Sequence, residues 1–234
     1  NDFDAIFLGI GSTKSNEVKI EGEKSSNVHF AIDFLTGIQK RNLGNKNAQY
    51  INVEDKKVVV IGGGDTAMDC VRTSVREGAT SVKCLYRRDE ANMPGSKKEV
   101  VNAKEEGVEF VFNVSPKSIK VENDLAVGVE LLETSMSKSD TSGRQKVVLI
   151  EGSEYLEDAD VIILALGFSP EVPSFLKELN VETNSWGGIV VDSNFKTSNK
   201  KVYAGGDCQR GAHLAVTAAV DGREAAKTII KELL

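Results

Sequence analysis

A chain of 234 residues is long enough for one large domain or two small ones, and 40% hydrophobic with 27% charged residues is the composition of a soluble globular protein. Its net charge of −6 argues against nucleic acid and anionic membranes as partners, and no apolar run approaches a membrane span. Three widely spaced cysteines, Cys70, Cys84 and Cys208, argue against a disulfide framework, a zinc site or an iron–sulfur ligand set. With no signal-peptide core at Asn1-Asp2-Phe3-Asp4, they fit a cytoplasmic, reducing location.

Phe3 to Leu8 carries a buried-strand signal closed by Gly9-Ile10-Gly11. A chain seldom opens on a core strand, so the sequence reads as truncated at its start. Residues 12–28 are polar and read as loop. Phe30, Phe34, Leu35 and Ile38 have helical spacing and predict a helix over 28–41, followed by an Asn- and Gly-rich loop at 42–47. His29 has no second ligand nearby and reads as a surface or half-buried side chain.

The most informative stretch is Val58-Val59-Val60-Ile61-Gly62-Gly63-Gly64-Asp65-Thr66-Ala67-Met68-Asp69. A β-branched run stops at three glycines, a helical pattern runs to Gly78, and a short apolar run follows from Val82 to Tyr86. This is a βαβ unit with a Gly-x-Gly-x-x-Ala turn. Gly62 allows the tight exit from the strand, and Gly63 lies between the two paired glycines. Gly64 lets backbone approach a pyrophosphate, and Ala67 lets helix and strand pack closely. Amides at a helix start point at phosphates, and the helix dipole favours their charge. Asp65 is placed to cap the helix and Thr66 to bond a phosphate; capping alone is the plain alternative for both. The predicted ligand is a dinucleotide, against an empty glycine turn.

An NAD site usually carries Asp or Glu about 20 residues after the glycines to bind the ribose 2′-hydroxyl. Here Tyr86 leads into Arg87 and Arg88, while Asp89 and Glu90 come slightly too late. Two guanidiniums suit a 2′-phosphate, so the reading is NADP(H). The alternative is a solvated basic turn at the strand end.

Beyond Arg88, a loop with Met93-Pro94-Gly95 precedes a helix predicted from Ser96 to Glu106. Lys97 and Lys98 stand near its start, against the dipole preference, and read as a solvated face or as neighbours of a phosphate. Glu109 to Phe112 is a strand, and 117–122 with 126–133 reads as a hairpin. Residues 135–145 are polar and read as irregular, followed by an extended run at 146–150. These elements form an antiparallel meander with no chemistry of its own. Val161 to Leu166 is another buried strand, ending in Ala165-Leu166-Gly167.

A short helix is predicted over 173–179, and short strands at 188–192 and 201–204. Gly205-Gly206-Asp207 then follows a strand and precedes a long helix beginning near Ala215. That helix places Val220, Ala226, Ile229, Ile230 and Leu233 on its apolar face. His213 stands just before it and is assigned no catalytic role.

Residues 62–73 and Tyr86-Arg87-Arg88-Asp89-Glu90-Ala91-Asn92-Met93-Pro94-Gly95-Ser96-Lys97-Lys98-Glu99-Val100 resemble the small (beta) subunit of NADPH-dependent glutamate synthase. That subunit belongs to a wider flavoprotein family with adrenodoxin reductase and part of dihydropyrimidine dehydrogenase. The resemblance implies an α/β fold: a Rossmann-like NADP-binding domain with a parallel sheet and a three-stranded antiparallel meander, joined to the C-terminal part of an FAD-binding Rossmann-like domain. It divides the chain into a last strand and crossover of the FAD domain (1–11), the NADP-binding domain (12–167) and the closing flavin segment (168–234). It places Gly11 at the first crossover and Ala165, Leu166 and Gly167 at the second, near the nicotinamide. Gly206 and Asp207 would meet the ribitol–phosphate part of FAD, and the amides of Ala215, Val216 and Thr217 would face the flavin N1–C2 edge, where reduced flavin carries negative charge.

The implied activity is hydride transfer from NADPH to FAD, with no catalytic side chain and no protein-bound metal. Electrons would pass onward through iron–sulfur clusters, carried by missing segments or a partner, to the glutamate synthase large subunit. Alternatives are an NADPH–ferredoxin transhydrogenase or dihydropyrimidine dehydrogenase-like subunit, or a fragment that only binds NADP(H). An assembly role with degenerate sites is a further possibility.

Overall fold

The computed structural model describes residues 3–138 and 145–234. The chain starts with β1 (Ile6–Leu8) and the two-residue β2 (Lys14–Ser15). Next come β3 (Val28–Phe30), α1 (Ala31–Asn42), β4 (Lys57–Ile61), α2 (Asp65–Arg76), β5 (Ser81–Tyr86), α3 (Lys97–Glu105) and β6 (Glu109–Phe112). Strands β7 (Val114–Glu122), β8 (Leu125–Met136), β9 (Val147–Leu149) and β10 (Tyr155–Asp158) follow, then β11 (Val161–Leu164). The chain closes with β12 (Phe168–Ser169), α4 (Phe175–Glu178), β13 (Val202–Ala204), α5 (Asp207–Arg210) and α6 (Ala215–Leu233). It divides into two compact units: Glu17–Leu166, and the described residues up to Asn16 together with Gly167–Leu234.

The larger unit has three layers. Its centre is a parallel sheet in the order β3-β11-β4-β5-β6. Because side chains alternate along a strand, β4 serves two cores. Val58 and Val60 pack with Phe34, Ile38, Met68, Val71 and Ala103 on the helical face. Val59 and Ile61 face the other way, onto Ile119, Val129 and Leu131 of the antiparallel layer. Burial on both faces explains why the sequence shows an unbroken apolar run rather than alternation.

Helix α2 buries Ala67, Met68, Cys70, Val71 and Ser74. It ends in a Schellman arrangement: Gly78 N–H reaches the Val75 carbonyl and Ala79 N–H the Ser74 carbonyl. In the antiparallel layer β8 lies between β7 and β10, and β9 pairs with its far end. Asn123 and Asp124, both with positive φ, turn the β7–β8 hairpin.

Several local expectations are corrected. The predicted helix over 28–41 starts three residues late, because Val28–Phe30 pairs in parallel with Ile162–Leu164 as an edge strand. The antiparallel layer gains Tyr155–Asp158, a strand with no alternation clear enough to announce it. The segment read as irregular over 135–145 lies partly outside the described residues; its first two residues extend β8. Gly188–Asp192 is not a strand: Ile189 makes one isolated bridge to Thr183.

In the second unit β1 and β13 form a two-stranded parallel sheet, and β2 pairs with β12. Leu8, Leu176, Ile189, Val202, Ala204 and Cys208 make its core. Of the apolar face read for α6, Val220, Ala226, Ile230 and Leu233 are exposed and Ile229 is half-buried. The helix instead buries Asp221 and Ala225. No helix among the described residues is long and apolar enough to cross a membrane.

Candidate functional site

The C-terminal edge of the parallel sheet carries the first candidate site, where ligands bind in open α/β sheets. Gly62 leaves β4 with φ +150° and its N–H bonded to the Leu85 carbonyl at 3.0 Å. A Cβ at Gly62 would overlap the Ala165 carbonyl, and one at Gly63 would run into the Tyr86 ring. These two glycines are therefore required by close approach. Gly64 is different: a Cβ there would meet nothing within 4 Å, so the space over it is open. It is the N-cap of α2, and the amides of Asp65 and Thr66 have no intrahelical acceptor.

Asp65 does not cap its own helix. Its Oδ1 accepts the Ser96 N–H at 2.7 Å, at the start of α3. Gly95 N–H donates to the Gly63 carbonyl at 3.0 Å, and Tyr86 Oη donates to the Asn92 carbonyl at 2.8 Å. The loop from Arg87 to Ser96 is thus laid over the glycine turn and tied down in three places. Thr66 is half-buried, with no hydrogen bond from its hydroxyl to a described residue, and Ala67 is fully buried.

Arg87 and Arg88 begin that loop, directly after β5. Arg87 is exposed and Arg88 half-buried. Neither guanidinium makes an ion pair among the described residues, and Arg88 Nε is buried without a hydrogen-bond partner. Such a donor is costly unless a partner supplies an acceptor. The following acids are committed elsewhere. Asp89 accepts from Asn92 N–H at 2.9 Å, and Glu90 pairs with Lys104 at 2.7 Å. Guanidiniums with no ion pair among the described residues, an open Gly64 and helix-start amides together form a set of donors suited to a phosphate-bearing ligand.

Two supports of the arginines were not anticipated from sequence. Thr134 Oγ1 donates to the Arg87 carbonyl at 3.0 Å, and Asn113 N–H donates to the Arg88 carbonyl at 3.1 Å. Both come from the antiparallel layer or its approach, so no local pattern marks them.

Ala165 N–H bonds the Ile61 carbonyl, which sets Ala165 beside the glycine turn. Leu166 packs against the antiparallel-face core. Gly167, φ +81°, accepts the Asn16 N–H at 3.1 Å and belongs to the second unit. Lys97 and Lys98 are exposed. Cys84 Sγ donates to the Gly62 carbonyl at 3.3 Å, and burial pushes its thiol up to about 12. Burial likewise raises the Cys70 thiol, so both cysteines stay neutral parts of the packing. Burial lowers His29 more than Asp33 raises it.

The second unit carries the other predicted turn. Gly206 N–H donates at 2.9 Å to Asp221, which is 2% exposed and forked by the Arg210 guanidinium. A buried acid inside an apolar helix stretch is a readable signal that sequence reasoning passed over. Asp207 does not lead straight into the long helix. It starts the four-residue α5, which ends at Gly211, φ +88°, before α6 begins. Its carbonyl accepts the Ser12 hydroxyl, and its carboxylate has no partner among the described residues. Gly11 has open space around it. Ala215 and Val216 are exposed, and Thr217 is half-buried with its hydroxyl 2.9 Å from His213 Nδ1.

Comparison with known proteins agrees with this architecture. The family model described as pyridine nucleotide-disulphide oxidoreductase matches residues 1–222. The chain is 46% identical to the glutamate synthase (NADPH) small chain of Escherichia coli (strain K12), covering 100% of this chain and 51% of that one. It is 45% identical to the corresponding small chain of Azospirillum brasilense, covering 96% and 48%. The chain thus spans about half the length of these relatives. Among solved structures, Mycobacterium tuberculosis FprA in complex with NADPH matches with a TM-score of 0.79 at 17% identity, covering 99% of this chain and 64% of that one. T. acidophilum thioredoxin reductase matches with a TM-score of 0.70 at 22% identity, covering 97% and 65%. These two likenesses concern the fold alone. With a family match over nearly its whole length and the glycine turn at the sheet edge, the chain belongs to the pyridine nucleotide-disulphide oxidoreductase family.

Proposed function

We propose that Gly62, Gly63, Gly64, Asp65, Thr66 and Ala67, with Arg87 and Arg88, form an NADP(H) site, and that the chain is the part of an NADPH-oxidising flavoprotein that passes a hydride to FAD. The observation that carries the choice of NADP(H) is the pair of arginines after β5 with no ion pair among the described residues and Arg88 Nε without a hydrogen-bond partner there, while Asp89 and Glu90 are held elsewhere. A ribose 2′-hydroxyl calls for an acceptor at this place; a 2′-phosphate calls for donors. When bound, the nicotinamide supplies a hydride that the flavin takes up. The chain's residues hold and orient: the glycine turn admits the pyrophosphate, the arginines fix the ribose end, and Ala165, Leu166 and Gly167 lie at the crossover. No side chain needs to titrate.

The same reading makes 12–167 the NADP-binding domain and 1–11 with 168–234 parts of a flavin domain, with Gly11, Gly206, Asp207, Ala215, Val216 and Thr217 toward FAD. The division after Asn16 and after Leu166 supports it, as does the Asp207 carboxylate, which has no partner among the described residues. Likeness to glutamate synthase small chains supports a large-subunit partner; on this reading the electrons reach it through iron–sulfur clusters outside this sequence, in a cytoplasmic setting.

A second reading, in which the chain binds NADP(H) and turns nothing over, is favoured by the placement of the glycine turn and both arginines within one unit, Glu17–Leu166. Purified chain that is yellow sustains the flavoprotein reading; colourless chain that binds NADPH sustains the second. The cofactor assignment is tested by calorimetric titration with NADPH and with NADH. NADPH is expected to bind about a hundredfold more tightly, two charge-assisted bonds being involved. Arg87→Ala with Arg88→Ala should abolish the difference; equal affinities in the unaltered chain would refute the assignment.

A further inference from the structure

The ladder between β5 and β6 ends at Tyr86 and Phe112, so the peptide groups of Arg87 and Arg88 lie beyond the last strand pairing. Their carbonyls are nevertheless both taken. Thr134 Oγ1 donates to the Arg87 carbonyl at 3.0 Å, and Asn113 N–H donates to the Arg88 carbonyl at 3.1 Å. The two donors are themselves joined, since Thr134 N–H bonds the Asn113 carbonyl at 2.7 Å. Asn113 takes up a positive φ of 57° at the bend between β6 and β7. Thr134 is one of few buried polar residues, 6% exposed, and sits in β8 with its backbone in register with Leu149.

We propose that Thr134 is a positioning residue for cofactor selection, through which the antiparallel layer aims the two arginine side chains. This rests on the NADP(H) reading of Arg87 and Arg88. The physical argument is leverage. A guanidinium stands at the end of a long flexible arm, and its direction follows its own backbone. Beyond the end of a strand that backbone is free to swivel about the 87–88 peptide. Two fixed donors on successive carbonyls remove that freedom and set both Cα–Cβ directions together. Bidentate recognition of a phosphate tolerates little misplacement, so a supporting shell is required. The hydroxyl is buried and satisfied, and its partner is the carbonyl of the peptide that joins the two arginines. The insert accordingly has a role in recognition, although its sequence shows no chemistry.

The test is the ratio of NADPH to NADH affinity in the full chain, measured by calorimetry. Thr134→Val keeps the size and β-branching and removes the donor. The ratio should fall about tenfold, with NADPH affinity lost and NADH affinity unchanged, the consequence of an unsatisfied carbonyl and a released arm. Thr134→Ser, which restores the donor, should return the ratio to within about twofold of the original. Thr134→Ala against Thr134→Ser repeats the comparison at smaller volume, should the valine variant fold poorly. Equal weakening of both cofactors by Thr134→Val would make Thr134 a structural residue only and overturn the proposal. An unchanged ratio would overturn it too, provided that Arg87→Ala with Arg88→Ala abolishes the preference. If that double variant keeps its preference for NADPH, the reading of the arginines fails first, and the proposal with it.

Discussion

Two strands in this chain run into glycines and then into a helix, and their surroundings differ. The turn at Gly62–Gly64 rises from the middle of a five-stranded parallel sheet, and α2 behind it buries five of its twelve residues. The turn at Gly205–Asp207 rises from a two-stranded sheet, and α6 buries two of its nineteen. The local signal is alike, but among the described residues a layer for the helix to bury against stands opposite the first turn alone. The first turn is held by packing together with backbone hydrogen bonds at Gly62 and Gly63. The second is held by a polar clasp: Asp221 receives the Gly206 N–H and the Arg210 guanidinium. An apolar stripe in a sequence therefore foretells a helix, and burial follows only where a layer stands opposite.

The sharpest way to break the comparison is to remove the clasp. Asp221→Ala leaves a buried N–H and a partly exposed Arg210 without partners. It should cost the second unit about 3 kcal/mol, near the low end for a buried pair because Arg210 reaches solvent. Hydrogen exchange should show lost protection in α5 and α6, with β4 and α2 unaffected. Next in size is Gly62→Ala, which forces a Cβ onto the Ala165 carbonyl at a φ that side chains rarely adopt. A loss of about 2 kcal/mol is expected, seen by chemical denaturation, together with lost NADPH binding.

A smaller effect concerns the charges that join α2 to α3. Arg72 bonds Glu106 at 2.7 Å and also pairs with Glu99, while Arg76 bonds Glu106 at 2.8 Å. The Arg72 guanidinium, aided by Arg76, holds the Glu106 carboxyl down at about 2, against an ordinary 4.5. A depressed folded value means that this stabilisation is complete above about 4.5 and is lost as pH falls toward about 2. Denaturation midpoints across that window should fall less in Glu106→Gln than in the unaltered chain. The smallest effect is expected on α6. Ile230→Lys or Val220→Gln changes an exposed face and should stay within about 0.5 kcal/mol. A loss comparable to that from a core substitution in α2 would contradict the contrast between the two helices.

Much of the larger unit is legible in the sequence because its signals are local. The β-branched run at 58–61, the three glycines and the Schellman glycine at 78 each act within one turn of chain. The strand at Val28–Phe30 is not legible: three residues carry no periodicity, and their pairing partner lies at 162–164. The same holds within the site. The arginine pair is visible as a pair, but Thr134 reaches Arg87 across 47 residues and Asp65 reaches Ser96 across 31. Asp65 was expected at a cap because that is what an acid at a helix start does alone. A nearer amide from the loop over the turn takes it instead. Long-range hydrogen bonds of this kind follow from the assembled layers and leave no spacing behind.

The most direct test of the central claim uses two ligands that differ by one phosphate. Calorimetry of the chain with 2′,5′-ADP and with 5′-AMP isolates the group that Arg87 and Arg88 are assigned to hold. 2′,5′-ADP should bind about a hundredfold more tightly, and Arg87→Ala with Arg88→Ala should remove the difference. Equal binding of the two ligands by the unaltered chain would contradict that assignment.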